Sequence, residues 1–151
     1  MRVVLQRVTK ASVEVEDKII GKIDNGLLVL LGIHVDDNMK ELEWMVNKVV
    51  GLRIFEDEDG KMNKSLKDVE GDLLVVSQFT LYGDCEKGRR PGFTDAARPE
   101  KAIPMYEEFV KRCRDLEVHV ETGEFGADMK IDLINDGPTT LIIDSPEKLR
   151  K

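Results

Sequence analysis

Four consecutive residues offer the densest chemistry in this chain. Ser77, Gln78, Phe79 and Thr80 place a hydroxyl, a carboxamide, an aromatic ring and a second hydroxyl directly after the apolar run at residues 73–76. That run reads as a buried strand, and a strand end is a rigid platform for a site. Two chemical roles fit. Thr80 Oγ could act as a nucleophile, which needs a base to take its proton, or the backbone N–H groups near Phe79 and Thr80 could donate to a carbonyl oxygen gaining negative charge, which needs none. No base is evident around Thr80. A third reading stays open, in which Ser77 and Thr80 only satisfy backbone groups where the strand stops.

The second stretch is Ile134-Asn135-Asp136-Gly137-Pro138-Thr139-Thr140, lying between two apolar runs. A two-residue hairpin turn favours positive φ at both central positions, which glycine accepts and proline, fixed near about −65°, refuses. A trans proline entering a strand is the ordinary explanation. The alternative is a cis Gly137–Pro138 bond, which turns the chain sharply and presents backbone oxygens rather than side chains.

Other candidates carry less. Residues 87–101 hold Lys87, Arg89, Arg90, Arg98 and Lys101 against Asp95 and Glu100, a local balance of +3; this is a solvated loop or a phosphate contact. The run Glu56-Asp57-Glu58-Asp59-Gly60 fails as a calcium loop. With Gly60 at the sixth position, Phe55 and Leu66 fall where carboxylates are required. His34 and His119 lack a nucleophile at suitable spacing, so a Ser-His-Asp hydrolase has little support. Cys85 and Cys113 form neither a C-x-x-C pair nor a zinc set, and read as reduced thiols. No metal and no cofactor is expected.

Strands must position these groups. Residues 1–15 alternate as a strand, with 13–15 suited to its hairpin partner, and residues 26–33 are apolar on both parities, as in a central strand buried on both faces. Asp37 and Asn38 can cap a helix whose Met39, Leu42, Met45, Val46, Val49 and Val50 make one apolar stripe. Residues 52–55 and 73–76 read as short strands and 84–98 as irregular. A second helix is expected over 99–115, with Ile103, Tyr106, Phe109, Val110 and Cys113 inward. Strands at 118–121, 129–134 and 140–143 complete the chain. The order predicts an α+β fold: a mainly antiparallel, barrel-like sheet with two long helices.

The length of 151 residues suits one domain over 1–151. The longest uninterrupted apolar run, residues 27–31, is far too short to span a bilayer, and the N-terminal residues lack a signal-peptide pattern. The expectation is a cytoplasmic protein with no membrane partner. With 23 basic and 30 acidic residues the net charge is −7, which argues against broad coating of nucleic acid.

Taken together, Ser77-Gln78-Phe79-Thr80 and Asn135-Asp136-Gly137-Pro138-Thr139-Thr140 resemble the SQFT and NxGPxT signatures of the D-aminoacyl-tRNA deacylases, or D-Tyr-tRNA deacylases. The segments MRVVLQRVTKASV, GLLVLLGI, SQFTLYGD, KGRRPGF and NDGPTT also fall in family order. The resemblance implies a homodimer with active sites at the subunit interface. The Gly137–Pro138 bond would be cis and would reach the partner's pocket, where its carbonyl oxygens leave no room for an L side chain. Arg7 would brace that loop. Ser77, Gln78, Phe79 and Thr80 would form the pocket floor, with Phe125, Met129 and Ala102 near the terminal adenosine. The implied reaction is hydrolysis of the ester joining a D-amino acid, or glycine, to the tRNA acceptor end. The ribose 2′-hydroxyl would help activate water, although one reading of the family makes Thr80 the nucleophile. The acidic total charge favours grip on the acceptor end alone, with residues 87–101 as the candidate contact. The alternative is a non-catalytic protein that binds D-amino acids or nucleotide ends.

Overall fold

The computed structural model describes residues 1–150. In chain order the elements are β1 (Arg2–Val15), β2 (Lys18–Ile23), β3 (Gly26–Gly32), α1 (Met39–Gly51), β4 (Phe55–Glu56), β5 (Met62–Lys64), β6 (Asp72–Ser77), α2 (Pro99–Asp115), β7 (Val120–Thr122) and β8 (Lys130–Asp144), with 3-10 turns at Phe79–Tyr82 and Glu147–Arg150. No helix among the described residues is long and apolar enough to cross a membrane.

The two long helices match expectation; the strand directions do not. β1 pairs antiparallel with β2, β3 and β8, but β3 pairs parallel with β6, and β6 parallel with β7. The sheet is mixed. Each helix lies between two strands that run the same way, because a parallel pair needs a long crossover and α1 and α2 supply it. The sheet also curls. At Gly21 of β2 an added Cβ would stand 2.6 Å from the Thr122 carbonyl oxygen of β7, so the outer strands nearly meet and the sheet approaches a barrel.

Period-two alternation builds two cores. Leu27, Val29 and Leu31 of β3 and Leu73 and Val75 of β6 face the helices, packing with Leu42, Met45 and Val49 of α1 and Tyr106, Phe109 and Cys113 of α2. Leu28, Leu74 and Val76 face the other way, into a cluster with Val8, Ala11, Val13 and Ile23. Residues 26–33 are thus buried on both faces because they are a central strand flanked by β1 and β6.

Several boundaries differ from expectation. Residues 13–15 belong to β1, and their hairpin partner is β2, reached through Glu16 and Asp17 at φ of 50° and 64°. The tight turn is therefore made without glycine. Residues 52–54 join no ladder; only Phe55–Glu56 pairs, with Met62–Lys64. The strands expected at 129–134 and 140–143 are one strand, β8, running beside nearly all of β1. Met39 is exposed in the first turn of α1, and Ile103 is only half-buried while Ala102 and Met105 face inward.

The helix starts follow their local chemistry. Asn38 caps α1 by accepting from Lys40 N at 2.8 Å, and Glu41 Oε2 accepts from Asn38 N at 2.7 Å. Pro99 opens α2, where its missing N–H has no helical partner to lose.

Candidate active site

Because β3 and β6 are parallel, their C-terminal ends open on the same side, where ligand crevices form in such sheets. A cavity of about 520 Å³ lies there. Leu31 and Ile33 line it from the end of β3, Ser77 from the end of β6, and Gln78, Phe79 and Thr80 from the turn that follows. Ala102 of α2 closes one side; Phe125 and Met129, between β7 and β8, close another. Seven of the sequence-predicted site residues therefore share one cavity. Its size suits a small ligand of amino-acid and nucleoside dimensions.

The local backbone follows from the end of the ladder. Gln78 N donates to Leu31 O at 2.8 Å, the last strand bond, after which the chain tightens into the 3-10 turn. The first N–H groups of such a turn have no internal acceptor. Among the described residues, neither Phe79 N nor Thr80 N has a protein acceptor. Gln78 Nε2 donates to Thr80 Oγ1 at 3.0 Å, so that hydroxyl oxygen is already an acceptor. Phe79 is 56% exposed and meets Phe93 edge-to-face, with ring centroids 5.1 Å apart.

The lining of the cavity is poor in acid and base. Arg98 is its one charged residue, and no Asp, Glu, His, Lys, Cys or Tyr lines it among the described residues. A group able to take a proton from Thr80 near neutral pH is thus missing from the wall. Tyr106 stands behind the wall, donating to Val75 O at 2.8 Å with its ring edge against Phe125. Burial pushes its phenol up to about 12, so it stays a neutral donor that fixes the aromatic wall. Burial likewise pushes the Cys113 thiol up to about 12, which leaves it inert within the core. His34 lines a different cavity, and burial holds its imidazole below the ordinary value. Among the described residues no cluster of His, Cys, Asp and Glu could hold a metal ion.

Arg7, Gly137 and Pro138 are not brought to this cavity within one chain. They form a separate unit. In the β1–β8 ladder Gln6 pairs with Thr140 and Val8 with Asn135, so residues 136–139 loop out opposite Arg7 alone. Arg7, 4% exposed, ties the loop down by donating from Nε to Asp136 O at 3.2 Å and from Nη1 to Ile54 O at 2.8 Å. Asn135 braces it from below, accepting from Thr139 N at 2.7 Å and donating to Thr140 Oγ1 at 2.7 Å. The Gly137–Pro138 bond is cis, as the resemblance implies. Gly137 sits at φ of 126°, and an added Cβ would lie 2.5 Å from Thr139 Oγ1 and 2.9 Å from Arg7 Nη2, so only glycine fits. Gly137 and Pro138 themselves are exposed at the tip of this braced loop.

Phe93 escaped the sequence reading as a site residue, and Arg98 entered it only as one cation of the basic segment 87–101. Phe93 and Arg98 line the cavity from residues 84–98, whose irregular conformation carries no periodic signal. The proximity of 93–98 to Thr80 depends on long-range bonds such as Val35 N to Asp95 O at 2.8 Å and Ala97 N to Ile33 O at 2.9 Å.

Comparison with known proteins gives a consistent set of relatives. A family model described as D-Tyr-tRNA(Tyr) deacylase matches residues 4–144. The chain is 59% identical over 145 residues to a D-aminoacyl-tRNA deacylase of Thermosipho africanus, covering 96% of this chain and 97% of the relative. It is 61% identical over 145 residues to the protein of that name from Clostridium tetani, with the same coverage. Among solved structures, it is similar to one titled c-Myc DNA Unwinding Element Binding Protein, with a TM-score of 0.91, 45% identity and coverage of 97% and 99%. A probable eukaryotic D-amino acid tRNA deacylase shares the fold, with a TM-score of 0.80 at 21% identity and coverage of 94% and 97%.

Proposed function

The chain belongs to the D-Tyr-tRNA(Tyr) deacylase family, hydrolases of the aminoacyl-tRNA ester that serve translation quality control, and from that premise we propose how its residues act and select. The substrate is a D-amino acid, or glycine, esterified to the terminal ribose of a tRNA. Water adds to the ester carbonyl carbon, the bond to the ribose oxygen breaks, and that oxygen leaves as a hydroxyl. The protein contributes placement and stabilisation of the developing oxyanion, while the neighbouring ribose 2′-hydroxyl helps activate the water.

The observation that carries this reading is the cavity wall itself. It holds free amide donors at Phe79 and Thr80 beside hydroxyl and carboxamide groups, but, among the described residues, no side chain able to act as a base. Thr80 Oγ already accepts from Gln78, which weakens it further as an attacking group. Ala102, Phe125 and Met129 supply an apolar wall for the terminal adenosine.

Selection falls to the Gly137 and Pro138 carbonyl oxygens of a second copy of the chain. The loop is exposed, rigidly braced and absent from its own chain's cavity, as expected of a group donated to a partner across a homodimer. Placed against the substrate α-carbon, those oxygens leave no room for an L side chain; a D side chain points outward and glycine has none to reject.

Turnover of D-tyrosyl-tRNA by Thr80→Ala tests the division of labour. Activity within a few-fold of the parent is expected. Loss of turnover with intact folding and intact substrate binding would instead make the hydroxyl part of the chemistry. Affinity for the acceptor end without turnover by the parent chain would favour a non-catalytic binding role.

A further inference from the structure

We propose that Lys87, Arg89, Arg90 and Arg98 form a phosphate-binding rim that holds the backbone of the single-stranded RNA 3′ end as it enters the cavity. The inference rests on the deacylase reading above and names how that site grips its substrate. In a chain of net charge −7, Lys87, Arg89 and Arg90 lie on the loop that leads into Phe93 of the cavity wall, and Arg98 follows in the same wall. Arg98 lines the cavity, and its side chain is 84% exposed. Its nearest counter-charge, Glu100, is 3.9 Å away and itself 78% exposed, too weak a pairing to hold the guanidinium. Lys87, Arg89 and Arg90 are exposed and have no acceptor among the described residues. Lys101, the fifth cation of the segment, is different: its Nζ donates to Val35 O at 2.7 Å, so it is structural.

The backbone that carries the three loop cations is tied at its base. Asp84 and Gly92 exchange both backbone hydrogen bonds, at 2.7 and 2.9 Å, closing the loop at its base. Asp84 Oδ1 accepts from Glu86 N at 3.0 Å, and Gly88 makes the turn at φ of 70°. Just beyond the base, Phe93 lines the cavity and packs edge-to-face on Phe79. The loop that carries the charges therefore springs from the cavity wall. Two acidic neighbours, Asp84 and Asp95, line the second cavity with Arg2, His34 and Arg150, while Glu86 and Glu100 stay exposed beside the cations. A merely solvated loop accounts for the exposure, but not for a guanidinium in the wall of a cavity that no carboxylate lines among the described residues.

Four contacts are few. Single-stranded contacts contribute a log–log salt slope of about 0.7 each, so four give about 2.8, or about a 50-fold weakening between roughly 50 and 200 mM salt. One remaining contact gives only about 3-fold over the same range.

The test compares the parent chain with the triple variant Lys87→Gln/Arg89→Gln/Arg90→Gln in two measurements. The first is equilibrium binding of a fluorescent single-stranded RNA of tRNA 3′-terminal sequence across that salt range. The second is hydrolysis of D-tyrosyl-tRNA and of D-tyrosyl-adenosine, which has the same ester but no phosphate. The expected result is a slope falling from the 50-fold to the 3-fold range, a raised KM with unchanged kcat on tRNA, and unchanged kcat/KM on the nucleoside ester. An unchanged salt slope, or equal losses on both esters, would overturn the phosphate rim. If the parent binds RNA with the expected slope yet releases no D-amino acid, the deacylase reading fails while the rim stands.

Discussion

Arg7 is the residue on which the placement of the Gly137–Pro138 loop turns, and Arg7→Ala is the perturbation that exposes it. The guanidinium is buried and bridges two carbonyls from different parts of the chain, Asp136 O at 3.2 Å and Ile54 O at 2.8 Å. Hydrogen bonds from a charged donor are each worth about 1.5–3 kcal/mol, so losing both should cost about 3–6 kcal/mol, a large share of the ~5–15 kcal/mol that holds a typical domain together. Glu56 lies 3.8 Å from Nη2 with its carboxylate mostly exposed, so Glu56→Gln should change stability by less than about 1 kcal/mol. Denaturant unfolding at fixed protein concentration reads these costs. The second readout is selectivity. With Arg7 gone, residues 136–139 lose both the bond to Asp136 O and the 3.4 Å ion pair of Nε with the Asp136 carboxylate, and hydrolysis of L-tyrosyl-tRNA relative to the D form should rise about tenfold, equivalent to about 1.4 kcal/mol of lost discrimination. Arg7→Lys, with one ammonium in place of a two-way fork, should fall between. A destabilised Arg7→Ala protein that still rejects L-substrate as strongly as the parent would refute the link between this brace and chirality.

Two further outcomes follow from the same geometry. Mixing an Ala102→Phe chain, whose own cavity is filled, with a Gly137→Val chain, whose loop is displaced, should restore selective hydrolysis to about a quarter of the parent level, because in the proposed homodimer half of the pairs are mixed and each has one intact site; recovery of none would place cavity and loop in the same subunit. His34 is held below 6.5, first by burial and then by the nearby Arg150 charge, and its Nδ1 accepts from Asp36 N at 3.0 Å. Between the folded value and 6.5 the unfolded chain binds a proton that the folded chain does not, so unfolding free energy should fall as pH drops through that window. Denaturant unfolding of His34→Gln from pH 7.5 to 5 should lose that contribution; an identical profile would assign the slope to other groups.

The parts of the fold written locally were legible. Asn38 and Pro99 mark helix starts through bonds made or spared within a few residues, and α2 spans the expected 99–115. Strand direction was not legible, since a strand buried on both faces has the same apolar pattern whether its neighbours run parallel or antiparallel. The continuity of β8 was hidden for a related reason. Residues 136–139 read as a loop between two strands, and only pairing with β1 on both sides shows them as an excursion within one. For the site, Ser77-Gln78-Phe79-Thr80 stood out because polar residues ended an apolar run. Phe93 carried no such mark, and Arg98 stood out only as one cation of a basic segment; both reach the cavity through bonds from residues 95–97 back to 33–35.

The most direct measurement is single-turnover deacylation by the parent chain of one tRNA charged in parallel with D-tyrosine and L-tyrosine, in the same buffer and at the same enzyme excess. Rapid release of the D-amino acid with the L-ester surviving at its uncatalysed rate is the predicted result. Comparable release of both would contradict selection by the Gly137 and Pro138 oxygens, and release of neither would contradict the assignment of hydrolysis to the cavity around Thr80.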